Sequence, residues 1–175
     1  MFFIAAPFVL NPFYKIRSIQ FRASDATPAT LDTMQGWNFP HDANKNLHGE
    51  GFIPDNFQAG TDVQIVINGA TQVINDTGSE KIVVLNQYIY RGRDGVAGEV
   101  GIIPDKTLIS IPNNNPAKTF QVAALNVISG LVAGDFFTWT VQRKTTDEDD
   151  TWASFWWMSH KVCVKYIADK VGVEV

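Results

Sequence analysis

The 175 residues carry 14 Lys and Arg against 18 Asp and Glu, a net charge of −4, with 45% hydrophobic and 12% aromatic residues. That balance is too apolar for a disordered chain and the length is too short for two ordinary domains. With its basic residues scattered, the chain also lacks the positive patch that a nucleic-acid backbone requires, so no nucleic-acid partner is expected.

The chain opens on MFFIAAPFVLNPFY. It has no positively charged start, Pro7 interrupts the apolar run, and the run is too short to span a bilayer, so neither a signal peptide nor a membrane segment is expected. Residues 1–14 are read as an apolar arm, and residues 15–175 as one β-sandwich domain. An apolar strip left in water is an aggregation liability. Phe2, Phe3, Phe8 and Phe13 are therefore expected to be covered at an interface, as a latch on a neighbouring subunit.

After the arm, period-two alternation bounded by Gly, Pro, Asn and Asp recurs, which is the signature of strands. Strands are expected at 15–22, 35–39, 48–53 and in TDVQIVIN, where Val63, Ile65 and Ile67 share a face. Asn68-Gly69 has the chemistry of a tight hairpin. EKIVVLNQYIY forms the strongest central strand, and RGRDGVAGEVG reads as a glycine-rich loop with Arg91 and Arg93 in a solvated turn. DKTLISI, AKTFQVAALNV and GDFFTWTVQRK follow, the last with Phe137, Trp139 and Val141 on one face.

The acidic turn TTDEDD then leads to TWASFWWMSHKVCVKYI, in which Trp156, Met158, Val162, Val164 and Tyr166 share a face. Cys163, the single cysteine, cannot form an intramolecular disulfide and reads as a buried, inert thiol. The sum is an all-β chain, a jelly-roll-like antiparallel sandwich of about eight strands with an N-terminal arm.

Motifs that carry chemistry find no support. Gly92, Gly95, Gly98 and Gly101 lack the Gly-Lys-Ser/Thr ending of a phosphate loop. Asp147 to Asp150 lack the spaced ligands of a calcium loop and read as a solvated hairpin tip. His41 and His48 match no zinc spacing, and His160 sits among apolar residues. No nucleophile elbow occurs. No catalytic, cofactor-binding or metal site is expected, and the chain is read as a non-enzyme. Trp37, Trp139, Trp152, Trp156 and Trp157 have the surface to stack on sugars or anchor a protein partner. Alternation puts Trp156 and Trp157 on opposite faces, so Trp157, together with Trp37, is an expected interface residue.

Three stretches, PATLDTMQG, GFIPDNFQAGTDVQIVI and AGDFFTWTVQRKTTDEDDTWASFWWMSHKVCVKY, resemble small virion structural proteins of tailed bacteriophages. The shared pattern is an aromatic-Pro-Asp/Asn segment leading into a G-T-D strand. It closes with a hairpin of Gly-Asp, an apolar strand, Arg, an acidic turn and Asp-Thr. The chain departs from the pattern at INGATQV, where a Trp is usual. The resemblance implies a β-sandwich on the virion, commonly trimeric. Its leading role would be a capsid decoration (cement) protein with the major capsid protein and copies of itself as partners. The alternative is a tail-fibre or head-fibre module that binds a receptor or host glycan, and the third reading is a glycan-active enzyme.

Overall fold

The computed structural model describes residues 14–18, 20–93, 96–125 and 127–168. Among them are eleven strands: β1 (Tyr14–Ser18), β2 (Gln20–Ser24), β3 (Thr27–Leu31), β4 (Met34–Phe39), β5 (Lys45–Phe52), β6 (Gln64–Thr71), β7 (Lys81–Arg93), β8 (Val96–Ile111), β9 (Phe120–Ala124), β10 (Phe136–Arg143) and β11 (Trp156–Ile167). No helix occurs among the described residues.

The pairing is that of one long hairpin rolled into two layers. β4 pairs β11, β5 pairs β10, β6 pairs β9 and β7 pairs β8, all antiparallel. This nesting splits into a first sheet ordered β3-β4-β11-β6-β9, with β1 also on β11, and a second ordered β2-β5-β10-β7-β8. That is the jelly-roll arrangement the alternation predicts. The stretch expected as a single strand at 15–22 serves both sheets, since β1 pairs β11 while β2 pairs β5. Tyr14 already belongs to β1, opposite Ile167. Phe2, Phe3, Phe8 and Phe13 lie outside the described residues.

The inward faces make one core. Val63, just before β6, and Ile65 and Ile67 within it meet Phe137, Trp139 and Val141 from the second sheet, all buried. Each such side chain contributes about 1.5–3 kcal/mol through burial. In β11 the register against β6 slips between Met158, opposite Gly69, and Val162, opposite Ile67. Four steps on one strand match two on the other, and an even excess leaves every later side chain on its original face. That is why Val162, Val164 and Tyr166 stay in the core beyond the bulge.

Several local expectations change. Asn68-Gly69 is no hairpin turn. Both residues lie inside β6, and a Cβ on Gly69 would stand 1.9 Å from the Trp156 ring. The glycine is there to let the indole lie on the backbone. The glycine-rich stretch 91–101 is not a long loop either, because β7 continues to Arg93 and β8 starts at Val96. Cys163 points away from the core and is half-buried rather than buried.

Trp157 does face outward from the first sheet, yet it is 0% exposed. It beds on Gly36, where a Cβ would come within 2.4 Å of its ring, and it is covered by Leu31, Ala29 and Ala70. Phe120 meets it edge-on at 5.9 Å, and its indole Nε1–H donates to the Ala29 carbonyl at 3.4 Å. Trp37 is half-buried and packs on the main core. Trp157 is not the free-standing anchor that alternation suggested, because β3 and β9 supply a cover that no local pattern encodes, and Trp37, expected at an interface, gives part of its surface to the core.

Candidate functional site

The outer face of the second sheet brings together aromatic and polar side chains in register. Strands β5, β10 and β7 run side by side, and their even-numbered residues point away from the core. The first row across them is Phe52, Phe136 and Gly92, the second Glu50, Thr138 and Tyr90. The third is His48, Thr140 and Tyr88, the fourth Asn46, Gln142 and Asn86. Four rows at the antiparallel rise span about 20 Å along β10.

The face is graded. At one end Phe52, 67% exposed, and Phe136 tilt against each other with ring centroids 5.3 Å apart at 59°. Gly92 lies beside the Phe136 ring, where a Cβ would already be in van der Waals contact at 3.9 Å. Tyr90, 42% exposed, stands one row further in. Beyond it the polar groups are held in cross-strand bonds. His48 Nδ1 lies 2.8 Å from Thr140 Oγ1, and Gln142 Nε2 donates to Asn46 Oδ1 at 2.8 Å. Asn46 Nδ2 in turn donates to Asp25 at 3.1 Å. Such bonds fix rotamers and leave the remaining lone pairs and N–H groups directed outward.

Both ends of the face are fastened. At the aromatic end, Arg93 grips the buried Asp135 with two bonds of 2.6 Å, and the Val132 amide adds a third at 2.9 Å. These bonds hold the Asp135 carboxyl below its ordinary range, the Arg93 contact leading, against the opposing effect of burial. The Ile53 amide donates to the Asp135 carbonyl at 2.8 Å, which ties the ends of β5 and β10 where the two phenylalanines sit. Arg91 also donates to the Gly130 carbonyl. The two arginines are therefore structural fasteners and not the solvated turn their sequence suggests.

At the polar end the acidic turn crosses the sheet. Thr145 donates to Asn44 Oδ1 through its amide at 2.9 Å and its hydroxyl at 3.1 Å. On the far side Lys106 of β8 bridges Asp147 at 2.7 Å and Asp149 at 2.5 Å. The Lys106 contact holds the Asp147 carboxyl below its ordinary range. Val84, which shares the outward parity, is fully buried between these anchors. Only part of the turn is the solvated tip expected from its composition.

The histidines and carboxylates do not converge. His41 and His48 are both exposed, and among the described residues no group of three His, Cys, Asp or Glu side chains could hold a metal ion. The four rows carry one carboxylate, Glu50, whereas glycoside hydrolysis uses a facing pair. Sequence reasoning missed Phe52, Phe136, Tyr88 and Tyr90 as a group. Their even spacing within β7, β10 and β5 was legible, but not the register that lines them up.

No protein-family model matches the chain, and no curated protein matches it. Among solved structures, it is similar to an exo-β-1,3-galactanase from Phanerochaete chrysosporium with galactose (TM-score 0.41, 9% identity), over 87% of this chain and 29% of that one. The chain thus spans under a third of the galactanase. It is also similar to the CBM36-1 domain of a multidomain xylanase from the hindgut metagenome of Trinervitermes trinervoides (TM-score 0.41, 10% identity, 92% and 100% covered). A third is TmCBM61 in complex with β-1,4-galactotriose (TM-score 0.35, 7% identity, 88% of each chain). At these scores and identities no residue role and no ligand passes to this chain.

Proposed function

We propose that this chain is a non-catalytic glycan-binding module, and that the outer face of the second sheet is its binding surface. The observation that carries the reading is the register of Phe52, Phe136 and Tyr90 with Glu50, His48, Thr138, Thr140 and Gln142 on one outward face. A sugar ring offers apolar C–H faces and a rim of hydroxyls. Aromatic rings present a negative π-face to the former, and fixed amides and hydroxyls pair with the latter. This corresponds to the fibre-type role that the resemblance implies, reading a glycan on a host surface.

The test is retardation of the protein in gels containing neutral polysaccharides, for the native chain and for Phe52→Ala and Phe136→Ala. Each substitution should weaken binding about tenfold, the scale of one lost aromatic contact. Unaltered retardation in both variants would move the site elsewhere.

Capsid decoration is the second reading, and one feature favours it. Val122 (70% exposed), Phe120 and Leu108 form an apolar strip along the edges of β9 and β8, of the kind that packs against a neighbour. Trimerisation or a seat on the major capsid protein would use such a strip. Copy number separates the roles: a decoration subunit approaches the number of capsid subunits on a gel of purified particles, and a fibre module does not.

A further inference from the structure

We propose that this face reads the end of an uncharged sugar chain, with the terminal unit at the acidic turn and the chain leaving over Phe52 and Phe136; the inference rests on the glycan-binding reading above. Two observations support it. The first is closure. The 145–150 turn is anchored on Asn44 at one flank and Lys106 at the other, and between them it buries Val84. It therefore crosses the outer side of the sheet one turn of the pleat beyond the Gln142 row, and a chain lying along β10 meets it end-on. At the opposite end Phe52 is mostly exposed, so the face stays open there.

The second observation is charge. The four rows of the face contain no lysine or arginine; at the closed end Lys144, just past the end of β10, stands in the field of Asp147, and Lys106 is held by two carboxylates. A uronate or sialate lying over the four rows would find no counter-ion within them, on a protein of net charge −4. Hydroxyl-rich, neutral units lose nothing on that score.

The experiment uses the full chain and a neutral polysaccharide that it retains, chosen from β-glucan, galactan, xylan and mannan. The polymer is cut by limited hydrolysis into a series of falling length and immobilised at constant mass. Binding capacity should rise in proportion to the number of chain ends, and Phe136→Ala and Phe52→Ala, checked for an unchanged circular dichroism spectrum, should each bind those ends about tenfold more weakly. Capacity that follows polymer mass, with the same loss in the variants, would overturn chain-end recognition and leave the glycan-binding reading standing. Preferential, salt-sensitive retention on polygalacturonate would overturn the neutral-ligand inference alone. Retention on none of the polymers would overturn both.

Discussion

Arg143 and Asp150 form a buried ion pair that closes the connection between β10 and β11, with side-chain exposures of 0% and 2%. The guanidinium donates to both carboxylate oxygens, at 2.8 and 3.0 Å. Its other N–H groups go to the carbonyls of Phe39 (3.1 Å), Ser154 (2.7 Å) and Trp152. Asp150 also accepts the Val84 amide at 3.1 Å. The pair therefore joins β4, β7, β10 and the approach to β11 at one point. A buried pair of this kind survives because every donor is satisfied, and removing one member leaves a lone charge in the interior.

Asp150→Asn and Arg143→Met are each expected to cost about 3–5 kcal/mol in urea unfolding. The double variant should cost less than the sum of the two, because the second substitution removes the orphaned charge that the first leaves. Single losses below about 1 kcal/mol would show that the pair is dispensable.

Stability should fall on the acid side, and its sign follows from the direction of the shifts. Asp135 and Asp147 are both held below their ordinary range, first by Arg93 and Lys106 respectively. The folded protein therefore binds fewer protons than the unfolded chain wherever the unfolded carboxylates, near pKa 3.9, begin to titrate. Their contribution is complete above that value and is lost as pH falls through the depressed folded values. Asp135→Asn should lower stability at neutral pH and make its decline below about pH 4 shallower. An acid limb of unchanged slope would remove Asp135 as a source of the effect.

How far the sequence reached can be judged from this same closing hairpin. Gly134-Asp135, Arg143 and Asp150-Thr151 carried the likeness in pattern, and each of these positions fastens something. Asp135 holds Arg93, Arg143 holds Asp150, and Thr151 Oγ1 accepts the Ile82 amide at 3.0 Å. Strand faces were legible for a local reason, since a period of two needs no knowledge of partners. Val63, Ile65 and Ile67 behave accordingly. Trp157 escaped because its burial depends on β3 curling over it and on Phe120, far earlier in the chain. The candidate face escaped for a similar reason: Phe52 and Phe136 become neighbours only through the long-range pairing of β5 with β10.

The glycines beneath the two adjacent tryptophans are expected to tolerate no side chain. A Cβ at Gly69 would overlap the Trp156 ring at 1.9 Å, and one at Gly36 would come within 2.3 Å of the Met158 carbonyl oxygen. Gly69→Ala should cost about 3 kcal/mol or more, the upper end for an overpacked core. Combined with Trp156→Leu, which vacates the space, the same alanine should cost less than it does alone, a coupling readable in a double-mutant cycle. At Gly36 part of the clash is with backbone, so trimming Trp157 should give less relief. Additive losses at Gly69 would mean that strain in β6, and not contact with the indole, sets the cost.

Gln87 is the polar residue the core accommodates least well, and it offers the opposite sign of effect. It follows Val83 and Leu85 on the inward face of β7 and precedes Ile89, at 2% exposure. Among the described residues neither its amide nitrogen nor its amide oxygen has a hydrogen-bond partner. The register with β8 slips beside it, from Leu85 opposite Thr107 to Gln87 opposite Ile103. Four steps on β8 match two on β7, so the bulge preserves parity and does not turn the amide outward. Burying an unsatisfied amide costs about 1–3 kcal/mol by mutational measures. Methionine has nearly the same length and flexibility and no group that needs a partner. Gln87→Met is therefore expected to raise the urea midpoint, with a gain of about 1–2 kcal/mol at unchanged m-value. Gln87→Glu should do the reverse at neutral pH, since it places a charge where an amide is already unpaired. If Gln87→Met were instead destabilised by more than about 1 kcal/mol, the amide would have to be engaged in solution by bound water, and the core would hold a polar site at β7 and not a packing fault.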